Sequence, residues 1–193
     1  MPKVIPNLTD EIIKQAKTIL LEKGYENFHL RDVSVACGIA LGTIYNYFPN
    51  KDELIMAVVG SNWDEINLNV ESICAAQGLF YNKLEKIFQE MEQFVTTFHD
   101  ILFKVKKIDR KNKQGCIDDI FLRLIELIRQ FLVLEIKGGN IVIVNDISPE
   151  IVARFIVSNF AITAHKKILG FNDLMLIFRA IIIEVKKGQK SIL

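Results

Sequence analysis

Residues Phe28 to Lys51 read FHLRDVSVACGIALGTIYNYFPNK, and this stretch decides the fold. Leu30 to Cys37 has the length and spacing of a short helix, Gly38 and Ile39 form a tight turn, and Leu41 to Tyr47 is a second short helix that Pro49 ends. Two helices cross closely at such a turn only where a residue lacks a Cβ or tolerates positive φ, and Gly38 supplies that. Val33, Ile39, Ile44 and Phe48 give the apolar contacts that fix the crossing, while small Ser34 and Ala36 leave it unobstructed. Ile44 and Phe48 fill the inward face at i and i+4, which leaves Thr43, Asn46 and Tyr47 outward and Tyr45 at the margin. The layout is that of a helix-turn-helix, whose second helix is free to lie in a major groove.

Working outward, a first amphipathic helix is expected from a Thr9 N-cap to Lys23, with Ile12, Ile13, Ala16, Ile19 and Leu20 on one face and Gly24 taking a left-handed conformation at its end. Beyond Pro49, Asn50 caps a helix running to about Ala76, and Glu53 three residues on completes a capping-box-like pair able to satisfy two backbone donors. Phe80, Leu84, Ile87, Phe88, Met91, Phe94, Val95 and Phe98 mark one buried helical stripe. A shorter helix is expected over Ile101 to Ile108, then a basic connection from Lys104 to Lys113 leading into Gln114 and Gly115. Ile117 to Phe131 marks a helix ending near Gly138, and Ile141 to Val144 reads as extended. Ser148 and Pro149 restart helix as N-cap and N1, and the last two helices are expected at about Pro149 to Leu169 and Asp173 to Lys187. The fold class is all-α, with a helix-turn-helix domain over residues 1–50 and a helical domain over 51–193.

Half of the 193 residues are hydrophobic, which excludes global disorder and allows a sizeable core. Each apolar stretch meets a charged residue before reaching the ~18 residues that a spanning helix needs, so no membrane partner is expected. Pro2, Lys3, Pro6 and Asn7 interrupt any apolar leader, and a cytoplasmic location is expected. Three cysteines, Cys37, Cys74 and Cys116, are too widely spaced for a CxxC pair or a disulfide framework. His29, His99 and His165 are equally scattered, so neither a metal nor another cofactor is expected. No GxSxG, P-loop or GxGxxG string is present, no catalytic residue can be nominated, and an enzyme is not expected. Residues 1–60 carry six basic and seven acidic side chains, so long-range steering towards a polyanion is weak and any nucleic-acid reading rests on local features.

The local features are specific. GYENFHLRDVSVACGIALGTIYNYFPNKDELIMAVV, with its G-T-I-Y-x-Y-F-x-x-K-x-x-L string, resembles the N-terminal domain of the TetR family of bacterial transcriptional regulators over roughly Thr9 to Val59. The resemblance implies a regulator, usually a repressor, that binds double-stranded, palindromic operator DNA as a homodimer and is released by a small-molecule effector. It places Leu41, Gly42 and Tyr45 at or near base edges, and Thr43, Tyr45, Tyr47 and Lys51 on phosphates. The chemistry agrees: tyrosine and threonine hydroxyls donate to phosphate oxygens from short stems, and Lys51 adds charge where a helix N-terminus also favours an anion. Arg31, in the first turn of its helix, can reach the flanking backbone. Leu41 and Gly42 offer bases no side-chain hydrogen bond, so specificity is expected to lean on thymine-methyl contact through Leu41, an Asn46 contact to adenine, and DNA shape.

In the remainder, the last two helices are apolar on nearly every side and must be covered on nearly every side, which points to a two-fold copy. Phe155, Ser158, Ile162, Phe178, Ile181 and Ile182 are the interface expectations. Trp63, Phe88, Phe94, Phe98, Phe103, Phe121 and Asn159 are the candidate lining of an effector site for an apolar or amphipathic molecule, although aromatic residues at helical spacing are more often core than pocket. A helical carrier of lipid-like molecules without DNA function is the alternative reading.

Ala40 stands where a Ser or Thr usually caps the recognition helix of this family. Ala40→Ser is predicted to stabilise the domain by about 0.5 to 2 kcal/mol through a restored cap; thermal denaturation measures it, and an unchanged or lower midpoint contradicts the capping argument.

Overall fold

The computed structural model describes residues 7–108, 114–166 and 169–185. Eight α-helices occur among them: α1 Leu8–Lys23, α2 Leu30–Cys37, α3 Leu41–Tyr47, α4 Lys51–Ala75, α5 Phe80–Ile108, α6 Gln114–Lys137, α7 Pro149–Lys166 and α8 Phe171–Ile181. Two short strands, β1 Ile141–Ile143 and β2 Ile182–Glu184, pair antiparallel, with a 3₁₀ turn at Val144–Asp146 following β1. No helix among the described residues is long and apolar enough to cross a membrane. The chain divides into two compact units, Met1–Asp64 with Thr97–Asn112, and Glu65–Thr96 with Lys113–Leu193.

In the first unit the core forms where α1 meets α2 and α2 meets α3. Ile12, Ala16 and Leu20 of α1, Phe28 before α2, Val33 of α2 and Ile44 of α3 are all fully buried. Asn7, not Thr9, caps α1: its carbonyl accepts from the amides of Asp10 and Glu11 at 3.1 and 3.3 Å. Gly24 follows α1 at φ 71, ψ 172. That is a positive φ with extended ψ, open in practice to glycine alone, and it differs from the compact left-handed turn expected there. Asn50 accepts the Glu53 amide proton at 2.9 Å, while the Glu53 carboxylate accepts from the Asn50 side-chain amide at 2.9 Å. The pair therefore satisfies one backbone donor rather than two.

In the second unit α6 packs along α7, and the antiparallel β1–β2 ladder sits against the ends of α6 and α8. Three expectations are corrected here. Ile101–Ile108 is not a separate helix but the end of α5, because no Gly or Pro interrupts the run and buried Phe98, Ile101 and Val105 continue its stripe. Gln114 and Gly115, expected in a connection, open α6; Arg110, Lys111 and Lys113 of the basic cluster lie outside the described residues. The last helix stops at Ile181, and Ile182–Glu184 turns to strand. The β-branched run Ile181-Ile182-Ile183 prefers an extended backbone, and Ile141–Ile143 offers a partner ladder. Ser148 accepts from the Ile151 amide at 3.4 Å, with Pro149 at the first helical position as expected.

The unit also buries an ion pair. Lys83 Nζ donates to Glu135 Oε1 at 2.8 Å and to the Cys74 carbonyl at 3.2 Å, and the two side chains are only 10% and 8% exposed. The Asn140 amide donates to the second Glu135 oxygen at 2.7 Å, so the carboxylate is bonded on both sides. Removing one partner strands the other charge in a low-dielectric interior. Lys83→Met is predicted to cost about 3 to 5 kcal/mol, whereas Lys83→Met combined with Glu135→Leu recovers most of that loss. Urea denaturation checks both; a double variant as unstable as the single one contradicts the stranded-charge argument.

Candidate nucleic-acid interface

The orientation of α3 is set from its buried side. Gly38 adopts φ 66, ψ 33 and so turns the chain between α2 and α3 within one residue. Its amide donates to the Val35 carbonyl at 3.1 Å and the Ile39 amide to the Ser34 carbonyl at 3.0 Å, closing the end of α2 in a Schellman-type arrangement. Ile44 is fully buried and Phe48 is 8% exposed, which pins one face of α3 against the unit's core. Tyr45 is then 49% and Tyr47 45% exposed, with Gly42 and Asn46 also exposed and Leu41 and Thr43 half-buried. Arg31 is exposed on α2, and Lys51 is half-buried at the start of α4. Ala40, the N-cap of α3, makes no side-chain cap bond.

Four of these predicted residues, Arg31, Leu41, Tyr45 and Lys51, line one shallow cleft of about 460 Å³ together with Phe28, His29, Leu30, Pro49 and Asn50. Gly42, Thr43, Asn46 and Tyr47 are not among its lining residues.

Gly42 is informative. Among the described residues a Cβ built there meets nothing within 4 Å, and the residue has ordinary helical backbone. Glycine inside a helix costs roughly 0.5 to 1 kcal/mol against alanine. Packing among the described residues gives no return for that cost, so the open space suits a surface that approaches α3 from outside.

Two residues that pattern reading took only as part of a turn or a helix start prove to organise Lys51. Its ammonium donates to the Tyr25 carbonyl and lies 4.3 Å from the Tyr25 ring centroid. The Tyr25 hydroxyl in turn donates to Asp52 Oδ1 at 2.9 Å. Lys51 is therefore a positioned cation, not a free one. Only the aromatic in the GYEN turn hinted at this, since the contact spans 26 residues. Nearby, Lys23 pairs with Asp32 at 2.8 Å and holds that carboxyl below its ordinary range.

The other predicted groups are dispersed. Trp63 and Phe98 are buried in the first unit, and Phe88 and Phe94 in the second. Phe88 packs with Phe160 and Phe171 at centroid distances of 5.1 and 4.7 Å, as a core aromatic does. Phe121 and Asn159 are half-buried, and Asn159 donates to its own helix at the Phe155 carbonyl. The Phe103 side chain lies outside the described residues. Among the interface expectations, Phe155, Ser158 and Ile162 lie exposed on α7, and Ile181 is half-buried. Phe178 and Ile182 are each 1% exposed, buried within their own unit, so they can back an outer face but not form one.

A helix-turn-helix unit with an outward second helix, joined in one chain to a helical second unit, defines the class. Residues 12–58 match the family model described as bacterial regulatory proteins, tetR family. The HTH-type transcriptional repressor KstR of Mycolicibacterium smegmatis is 30% identical over 73 residues, 38% of this chain and 36% of that protein. The chain thus matches little more than a third of the length of that relative. A TetR-family transcriptional regulator from Pectobacterium atrosepticum shares the fold with a TM-score of 0.71 at 15% identity, over 93% of this chain and 96% of that one. The transcriptional regulator FadR from Bacillus subtilis, in complex with stearoyl-CoA, gives 0.62 at 18% identity, over 89% and 94% of the two chains. Over residues 12–58, then, the chain is similar to the N-terminal domain of the TetR family, and its fold over most of its length is that of solved members of that family.

Burial, then the bond to Asp52, pushes the Tyr25 phenol from 10.0 to about 12. Burial does the same to Tyr81, raising it to about 12 against the opposing pull of Arg179. Both folded-state values lie above the unfolded one, so the native state holds these protons longer. Their contribution is full below pH 10 and is lost as pH rises towards 12. Tyr25→Phe should flatten part of the fall in stability across that window, measured by urea denaturation at successive pH values; an unchanged slope contradicts the assignment.

Proposed function

We propose that this chain is a ligand-responsive transcriptional regulator that binds palindromic operator DNA as a homodimer through α3, and acts as a repressor. The observation that carries the reading is Gly42: an exposed helical glycine with open space around it, beside outward Tyr45, Tyr47 and Asn46 and a positioned Lys51. That face suits close approach to a groove, with hydroxyls and one fixed ammonium on flanking phosphates. Arg31 and Thr43 extend the same contact set, and Leu41 meets a thymine methyl. The description of the related KstR as a repressor supports the direction of control.

Two copies are proposed because α7 and α8 carry Ile151, Phe155, Ile162, Leu176 and Ile177 between 37% and 69% exposed. Phe178 supports this face from below, 5.8 Å from the Phe155 ring. A second copy covering it presents two recognition helices to half-sites about 34 Å apart, or a multiple of that. The stearoyl-CoA held by the related FadR supports an effector with a large apolar part acting on the second unit. Such an effector lowers DNA affinity if it favours a state whose two reading heads are wrongly spaced.

The test is selection of bound duplexes from a random pool, followed by titration of the recovered sequence. Gly42→Ala is expected to raise the melting midpoint while weakening duplex binding roughly tenfold, and Tyr45→Ala to weaken it with the dimer intact. Recovery of no sequence, or parent-like binding by both variants, overturns the reading.

A further inference from the structure

The β1–β2 ladder carries one residue on the wrong side. Its register pairs Ile141 with Glu184, Val142 with Ile183 and Ile143 with Ile182. Val142 and Ile183 are 48% and 52% exposed, while Ile141 and Ile182 are each 1% exposed. Alternation therefore places Glu184 on the core-facing side with Ile141. An inward carboxylate is costly unless it is bonded. Among the described residues Glu184 has one recorded bond, from the Phe80 amide at the first position of α5 to Oε1. Its Oε2 has no hydrogen-bond partner among the described residues, and Glu184 lines a cavity of about 650 Å³ at the junction of the α4–α5 turn, the end of α6 and β2.

Among the described residues the charges around this cavity do not cancel. Lys83 lines it but is committed to Glu135 and the Cys74 carbonyl, so that pair is neutral as a unit. Asn140 must turn its amide nitrogen to the other Glu135 oxygen, 2.7 Å away, and is left with a carbonyl acceptor. Gln77 and Gly78, just past the negative end of α4, form another part of the wall. The α5 N-terminus is the opposing positive end, and Glu184 Oε1 already occupies it. What remains among the described residues is one carboxylate oxygen without a cation partner, with carbonyl acceptors nearby, beside the apolar surfaces of Leu79, Phe80 and Val185.

From this we infer a binding site for a small amphipathic amine in its ammonium form. Its N–H donors meet Glu184 Oε2 and the Asn140 carbonyl, and its short apolar chain lies on Leu79 and Val185. An ammonium offers three donors and no acceptor, which matches a wall of acceptors; a carboxylate ligand would meet Glu184 with like charge. The site shares no residue with the aromatic set named from sequence, and the inference does not depend on DNA binding.

Calorimetry on the full chain without DNA, using n-hexylammonium, 1-hexanol and hexanoate as probes of equal chain length, tests it. Hexylammonium should bind saturably, one per chain, and at least about tenfold more tightly than hexanol, with hexanoate giving no saturable heat. Glu184→Gln keeps a carbonyl oxygen for the Phe80 amide, so the strand pair should hold while hexylammonium falls to the hexanol level. Leu79→Arg, at a position 60% exposed, puts a resident cation at the mouth and should block the probe without loss of melting temperature. Glu85→Gln, away from the cavity lining, should bind as the parent does. No saturable binding of hexylammonium, equal binding of hexanoate, or parent-like binding by both Glu184→Gln and Leu79→Arg overturns the inference.

Discussion

The burial of Ile44 beneath α3 is the constraint on which the first unit turns. A seven-residue helix has little stability of its own and holds direction only if one side is fixed by tertiary packing. Ile44 and Phe48 fix that side, and Gly38 permits the tight turn that brings them to the core. Everything outward on α3 follows from this one inward pair. Tyr45, Asn46 and Tyr47 are exposed because the helix has no freedom to roll, and Gly42 leaves an open strip among them.

The second unit is organised by a different balance. Its helices bury apolar stripes in the ordinary way, but the end formed by α4, α5, α6 and β2 is polar inside. Lys83, Glu135 and Asn140 satisfy one another there, and Glu184 closes the α5 N-terminus from a strand. Buried ionic groups are weak sources of net stability, yet they tolerate few alternative arrangements. They specify how the α4–α5 turn, the α6 end and the last strand meet, and the cavity above them follows from that convergence.

The bounds of α2 and α3 were legible in the sequence because their signals are local: a glycine able to turn, a proline that stops, and apolar residues at helical spacing. Outward Tyr47 and Asn46 were legible for the same reason. What escaped was non-local. The ladder that turns Ile182–Glu184 into strand is formed with residues some forty positions earlier. The Lys83–Glu135 pair spans 52 residues, and the Tyr25 hold on Lys51 spans 26, so neither leaves a periodic trace. A separate helix was expected over Ile101 to Ile108, yet α5 runs through without a break because Phe98, Ile101 and Val105 continue its buried stripe across His99 and Asp100.

The central claim is that α3 enters duplex DNA as one of a symmetric pair. Hydroxyl-radical cleavage of a duplex recovered by selection reads that geometry directly. The account predicts two protected patches related by a two-fold axis, with methylation interference at guanine N7 in two major grooves separated by about one helical turn or a multiple of it. Protection of a single patch, or interference confined to the minor groove, contradicts it.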